Sequence, residues 1–533
     1  MEDALDNCAG WIARWATTRP DHLAISDDRR RFSYAEFEDR AARLADWFLT
    51  SGVAKGDRVA ILLENQSAYL ESVLAAARIG AIAVPLNTRL SASEIKFILD
   101  DCEPAALVFG AALAQLAREA ASATIPAANQ LCVGGAESPY EAALAHASPR
   151  PNIAPVSPGD PMILMYTSGT TGRPKGALLP HRKTLFNSLN AQLFFGIRSD
   201  DRVLVPTPLY HSLGLCILAL PVLYAGGSLF LHGRFDPARV WRTVEQERLS
   251  YFGGVPTQYR RLYAQLEKEE AGQDRPDATK LPGGEAQPPT QAGRDLSSLR
   301  FLFTAGAAIP AELVRAFGRR GLMLKQGYGQ TETSILCCLD AADAVRKAGS
   351  VGQPVFHAEV RIVPASQLDR PSAEWRDVAP GETGEIVVRG PIVMLGYWRR
   401  PTATAEAFRD GWLRTTDLAT VDEDGFVTLV GRARDMIISG GENVYPAEIE
   451  AVYERHPGVS EIAVVGVADE DWGEVGRAHI VLHAGVELDA EQLTRWGRER
   501  LAAFKVPKTF QRESELPKTA TGKVLKYRLR DGG

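Results

Sequence analysis

Short apolar runs alternate with amphipathic segments through the first 430 residues, and that alternation leaves few architectures open. Arg58–Leu63 and Ala81–Leu86 read as strands, with a helix over Tyr69–Ile79 between them. The alternation recurs at Arg202–Val205, Gly214–Tyr224, Ser228–Leu231, Pro237–Arg248, Tyr251–Val255, Leu299–Thr304 and Ala311–Arg319. Repeated β-α units predict an α/β fold with parallel sheets covered by helices. In such sheets ligands sit beyond the carboxyl ends of the strands, in the loops that follow them.

The 533 residues exceed what one hydrophobic core organises, since single cores stop growing near roughly 250–300 residues. A boundary is expected near Gly431-Arg432-Ala433-Arg434-Asp435, dividing residues 1–432 from 433–533. Beyond it Pro446 suits the first turn of a helix with Ile449, Val452 and Tyr453 on one face. Strands follow at Ile462–Val467 and His479–Leu482, then a helix at Ala490–Ala502, which makes a small α+β domain. Residues 268–298 are rich in Pro, Gly, Gln, Asp and Glu, and read as a mobile surface insertion.

The net charge of −6 gives no reason to expect nucleic acid as a partner. Cys8, Cys102, Cys132, Cys216, Cys337 and Cys338 form no C-x-x-C pair, so neither a zinc site nor a disulfide framework is expected. The N-terminus lacks the apolar stretch of a signal peptide, and a cytoplasmic location follows as an expectation. Leu213–Leu231 is free of charge, but Pro221 and Gly226-Gly227 interrupt it. It reads as a buried helix, a turn and a buried strand, not a membrane span.

The chemistry concentrates in one loop, Thr167-Ser168-Gly169-Thr170-Thr171-Gly172-Arg173-Pro174-Lys175-Gly176, which follows the apolar run Pro161–Tyr166. Small residues let backbone N–H groups approach phosphate oxygens, hydroxyls add donors, and Lys175 adds charge. The pattern is not that of the G-x-x-x-x-G-K-[ST] loop, because Pro174 precedes the lysine and Gly176 follows it. An ordinary turn needs no such density of Thr, Ser, Gly and Lys.

This loop resembles that of the adenylate-forming superfamily of acyl-CoA synthetases, aryl-CoA ligases, luciferases and peptide-synthetase adenylation domains. Further segments match in order: Thr304-Ala305-Gly306-Ala307-Ala308, Tyr328-Gly329-Gln330-Thr331-Glu332, Thr415-Thr416-Asp417, Gly431-Arg432, Ser439-Gly440-Gly441-Glu442-Asn443 and Pro517-Lys518-Thr519-Ala520-Thr521-Gly522-Lys523. The resemblance implies a large N-terminal domain with a small β subdomain, and a mobile C-terminal domain. It implies ATP, Mg²⁺ and coenzyme A as reactants and cofactor, and a carboxylic acid as substrate.

The resemblance also assigns roles. Thr167, Ser168, Gly169, Thr170, Thr171, Gly172 and Lys175 would hold phosphates, with Lys175 handling departing pyrophosphate. Gly306, Ala307, Ala308, Gln326 and Gly327 would line the nucleotide site, and Tyr328 would stack on adenine. Thr331 would meet the α-phosphate, and Glu332 would hold Mg²⁺, a hard cation that takes oxygen ligands. Asp417 and Arg432 would bind the ribose. Lys523 would offset charge during attack of the carboxylate on the α-phosphorus. Arg434 falls at the hinge, where an Asp or a Lys is usual. Ser439, Gly440 and Gly441 would flank the pantetheine arm. His211 would orient the carboxylate or gate its pocket, and Trp472 reads as structural.

His211, Leu213, Leu215, Ala305, Gly327, Cys337 and Cys338 are the expected walls of the acid pocket. Tyr210–Leu215 and Phe301–Ala308 carry no Asp or Glu to hold an amine and no Arg to read a second carboxylate. Those walls predict an apolar acid, fatty or aryl, with room over Gly327 for a chain or ring. The expected activity is an AMP-forming acid–CoA ligase. The alternatives are an adenylating enzyme that loads a carrier protein in trans and a non-catalytic nucleotide-binding module. A homodimer is a further expected partnership.

Overall fold

A computed structural model describes residues 7–120, 125–135, 138–149, 153–167, 174–272, 293–307, 309–439, 442–470, 472–487, 489–519 and 522–530. Two sheets organise the larger part of the chain. The first has seven strands, in the spatial order Gly396–Tyr397, Lys175–Pro180, Pro161–Thr167, Ile82–Pro85, Arg58–Leu62, Ala106–Gly110 and Gln130–Val133. Its five strands from Pro161–Thr167 to Gln130–Val133 run parallel. Lys175–Pro180 returns antiparallel to Pro161–Thr167, so Thr167 and Lys175 pair at a strand end.

The second sheet has nine strands. Its parallel centre runs Leu23–Ser26, Ser228–Leu231, Arg202–Val205, Tyr251–Gly254, Phe301–Thr304 and Leu324–Gln330. These strands are largely buried because helices cover both faces; Ser228–Leu231, Tyr251–Gly254 and Phe301–Thr304 are buried at every position. Each fully buried Leu, Val or Phe contributes about 1.5–3 kcal/mol. Ser334–Cys338 turns back antiparallel on Leu324–Gln330 through a tight connection that carries Thr331 and Glu332.

Leu213–Leu231 forms a helix, a turn and a strand, all folded into the body. Leu213–Ala219 is a π-helical segment that runs directly into the α-helix Leu220–Ala225. Pro221 therefore lies inside a continuous helix instead of breaking it, and Gly226, at φ +80°, ends it. Among the described residues no helix is long and apolar enough to cross a membrane.

The reading of 268–298 as a mobile surface insertion is corrected at both ends. The helix Pro256–Glu270 extends into it, and Arg294 is buried against Glu269 at 2.7 Å, with Glu245 at 3.2 Å. These pairs clamp the two stems together. Residues 273–292 lie outside the described residues.

A third, antiparallel sheet joins Glu359–Val363, Gly384–Arg389, Trp412–Val421, Phe408–Arg409 and Val427–Arg432. After the short turn Ala433–Asp435 comes a fourth sheet, built on Val459–Asp469 and Gly473–Leu482 with Ile437–Ser439, Glu442–Val444 and Thr509–Arg512. The helices Pro446–Tyr453 and Ala490–Arg498 pack on one core with Ile462, Val464 and Ile480. Ala463 and Val465 pack with Leu516 and Leu529 in a separate cluster, as alternation along a strand dictates.

Candidate active site

The third sheet presents Asp417 and Arg432 as direct cross-strand partners. Arg432 Nε lies 2.9 Å from Asp417 Oδ1. From the end of Leu324–Gln330, the Tyr328 hydroxyl donates to Asp417 Oδ2 at 2.7 Å and Gln330 Nε2 donates to the same oxygen at 2.6 Å. Gln330 Nε2 also donates to the Thr415 carbonyl at 2.9 Å. Asp417 is 7% exposed, so all of these bonds form away from bulk water. A carboxylate offers about four acceptor sites. Three are taken, and a bidentate hold on a ribose would need Tyr328 or Gln330 to give way. Burial beside Asp417 pushes the Tyr328 phenol well above its ordinary range, so it stays a donor.

Gly306, at φ +88°, turns the chain at the end of Phe301–Thr304, a conformation that favours glycine. Gly306 and Ala307 are exposed there, while Gln326 is buried with its Nε2 unpartnered. Ala308 lies outside the described residues, as do Ser168, Gly169, Thr170, Thr171 and Gly172. Thr167 and Lys175 face each other across the neck of that loop.

Tyr397, which no motif singles out, connects two of the expected phosphate-site residues. Its hydroxyl donates to Glu332 Oε1 at 3.1 Å, and Lys175 Nζ lies 5.4 Å from its ring centroid. The connection depends on Gly396–Tyr397 pairing with Ala177 and Leu178, far away in sequence. Glu332 Oε1 is thus steadied while the carboxylate remains a hard oxygen donor, which fits a Mg²⁺ shared with phosphates. Among the described residues no cluster of three His, Cys, Asp or Glu stands ready as a protein-only metal cage.

Lys523 reaches the same cleft from the C-terminal domain. The preceding Gly522, at φ +82°, lies against Thr257 at the start of the helix Pro256–Glu270. The turn is closed by Thr519 N–H donating to the Lys523 carbonyl at 2.7 Å and by Lys523 N–H donating to Thr519 Oγ1 at 3.1 Å. Three lysines lie close together here, and they are placed differently. Lys518 and Lys526 each lie 2.6 Å from a carboxylate of their own domain, Glu461 and Glu450. Lys523 instead shares its surroundings with Arg432, Asp417, Arg434 and Asp435. Lys523 is exposed as a whole residue, yet desolvation by the surrounding protein, with the neighbouring guanidinium groups, lowers its pKa to about 8. Arg434 is likewise held below its ordinary value by burial and by Arg432. Arg530 ties the turn, donating to the Arg434 carbonyl at 3.2 Å and to Asp435 at 3.1 Å.

Ser439 is buried in the fourth sheet, where it pairs with Gly473, and not in the Asp417 cluster. Gly440 and Gly441 lie outside the described residues.

Two expectations for the acid pocket are corrected. The space over Gly327 is not open: a Cβ there would lie 2.7 Å from the Phe303 ring, which fills it. Cys337 and Cys338 do not share a wall either. Cys337 stands opposite Tyr328 and Cys338 opposite Gly327, so their side chains project to opposite faces of the strand. Both thiols are pushed up by burial, Cys338 to about 12. Ala305 is buried and Leu213 half-buried near the expected pocket, and Leu215 is fully buried in the core. His211 Nε2 is buried without a partner, and burial lowers the ring to about 4. The imidazole is therefore neutral at pH 7.

Residues 12–398 match the AMP-binding enzyme family, and residues 448–523 match the AMP-binding enzyme C-terminal domain. The chain therefore belongs to the AMP-binding enzyme family. It is 42% identical over 521 residues to the feruloyl-CoA synthase of an Amycolatopsis species, covering 98% of each chain. It is 39% identical over 526 residues to the indoleacetate–CoA ligase of Aromatoleum aromaticum, covering 98% of this chain and 97% of the relative. ATP-bound MatB from Rhodopseudomonas palustris has a similar fold, with a TM-score of 0.86 at 31% identity over 98% of each chain. Within the family, this chain is an AMP-forming carboxylic acid–CoA ligase.

Proposed function

We propose that the cleft converts an aryl carboxylic acid to its CoA thioester in two steps. In the first, a carboxylate oxygen attacks the α-phosphorus of ATP and the bond to pyrophosphate breaks. In the second, the CoA sulfur attacks the acyl-adenylate carbonyl, AMP leaves and the thiol proton passes to solvent. The observation that carries this reading is the Lys523 ammonium, free of a fixed carboxylate among the described residues and held in the cleft with Asp417 and Arg432. Both reactants of the first step are anions, and a cation placed between them stabilises the charge that builds up.

Asp417, steadied by Arg432, Tyr328 and Gln330, positions the ribose. Thr331 meets the α-phosphate, and Lys175 the departing pyrophosphate. Glu332 would hold Mg²⁺, which when bound would offset phosphate charge. Neutral His211 orients the acid. For the second step the C-terminal domain turns about Arg434 and brings Ser439, Gly440 and Gly441 to the thiol. The names of the feruloyl and indoleacetate relatives support an aryl acid over a fatty one.

Pyrophosphate release across a panel of aryl and fatty acids, with and without CoA, tests the proposal. Release with aryl acids, and thioester with CoA, is expected. Release without thioester would point to a carrier protein as acceptor. No release with any acid would contradict the ligase reading.

A further inference from the structure

The short strand Gly396–Tyr397 is held more firmly than two paired residues require. Trp398 N–H donates to the Gly176 carbonyl at 2.7 Å, and the Trp398 indole donates to the Asp101 carbonyl at 3.2 Å. The Arg58 and Arg399 guanidinium groups each lie 5.4 Å from the Trp398 ring. Tyr397 N–H donates to Thr404 Oγ1 at 2.9 Å. Arg399 takes φ +49°, a conformation a non-glycine residue holds only where its surroundings impose it. Contacts from three distant parts of the chain thus set the place of Tyr397.

There it meets one charge of each sign. Its hydroxyl donates to Glu332 Oε1 at 3.1 Å, and Lys175 Nζ lies 5.4 Å from its ring centroid. Burial, and then Glu332, raise the phenol above its ordinary value, so it stays a donor. Lys183 also acts on the Glu332 charge, but it is buried and donates to Ser334 Oγ. No ion pair joins Lys175 to Glu332 among the described residues. Yet a lysine on a flexible four-carbon stem and a carboxylate attract each other, and both reach this one side chain. If they closed into a pair, neither charge would be open to a ligand.

We infer that Tyr397 is a spacer, which keeps the Glu332 carboxylate and the Lys175 ammonium from closing on each other so that both stay open to ATP and its Mg²⁺. The hydroxyl gives the carboxylate a neutral partner, and the ring gives the ammonium a weak one. In neither contact are both partners charged, so each is given up to a phosphate or a metal more readily than a lysine–carboxylate pair. Tyr397 is a positioning residue that acts through its two neighbours, and the inference rests on the phosphate and Mg²⁺ roles proposed for them.

The test measures Kd by titration calorimetry, with no acid present, for MgATP and for AMP, which carries neither the departing phosphates nor the metal. Wild-type protein, Tyr397→Leu, Tyr397→Phe, Lys175→Met and the double variant of Tyr397→Leu with Lys175→Met are compared. Tyr397→Leu should raise Kd for MgATP roughly three- to tenfold, the size of an ion pair that must open, with Kd for AMP little moved. Lys175→Met should itself weaken MgATP, and Tyr397→Leu should then add almost nothing, because no pair is left to form. Tyr397→Phe keeps the ring and should show a smaller rise; it replaces the leucine variant in both backgrounds if that one does not fold. Equal weakening of MgATP and AMP would overturn the inference, because Tyr397 would then only support the site as a whole. The same added loss with and without Lys175, or unchanged MgATP binding in Tyr397→Leu, would overturn it too. Wild-type affinity for MgATP in Lys175→Met would instead sink the phosphate role beneath it.

Discussion

Asp417 and Lys523 bring opposite charges into one cleft, and the chain holds them in opposite ways. Asp417 sits on a strand of the third sheet, gripped by Arg432, Tyr328 and Gln330 from two sheets. Lys523 arrives on a short turn of the C-terminal domain, docked through Gly522 on Thr257. Its neighbours Lys518 and Lys526 are committed to carboxylates of their own domain. On the proposed mechanism recognition is built into the larger body, while the reacting charge rides on a part that the proposed rotation withdraws. A residue needed in only one of two steps is best placed where domain rotation can withdraw it.

Lys523→Ala is expected to break this division most visibly, lowering acid-dependent pyrophosphate release by a factor on the order of 10²–10³. KM for ATP should change far less, because the grip on the sugar stays intact. A loss confined to KM would erase the distinction between the two charges. Asp417→Ala should show the reverse split. Removing a charged acceptor strands Arg432 and costs about 2 kcal/mol of ATP binding, roughly a thirtyfold rise in KM.

The pH dependence sharpens the same contrast. Lys523 is active when protonated, and its pKa is depressed to about 8, so the active form is present below that pH and lost above it. kcat/KM for adenylation should fall about tenfold per unit above pH 8. Lys523→Arg should move that limb upward, since a guanidinium stays charged. An unmoved limb would assign it to another group. The smallest effect concerns the body alone. Gly327→Ala forces a methyl against Phe303 and should lower stability by about 1–3 kcal/mol, read by thermal denaturation, with the Lys523 pH limb unchanged. A neutral result would mean that the Phe303 ring does not fill that space.

The parallel sheets were legible because strands buried on both faces are unbroken apolar runs, as in Ser228–Leu231 and Phe301–Thr304. Asp417 and Arg432 were legible only through resemblance, since nothing local distinguishes a turn acid from a ribose ligand. Gln330 and Tyr397 gave no sign, because each acts on a residue 65 or more positions away. Phe303 was hidden for another reason: it lies in a segment read as a pocket wall, but that its ring fills the space over Gly327 depends on the pairing of neighbouring strands. Arg294 is the simplest such case, one of several cations in a polar stretch, and it turns out to be buried.

The most direct test supplies the acyl-adenylate ready-made to Lys523→Ala and follows CoA thioester formation. Near wild-type thioester formation beside a crippled adenylation step is the result expected of a charge delivered for one step alone. Equal loss in both steps would contradict it, and would make Lys523 part of the site's permanent frame.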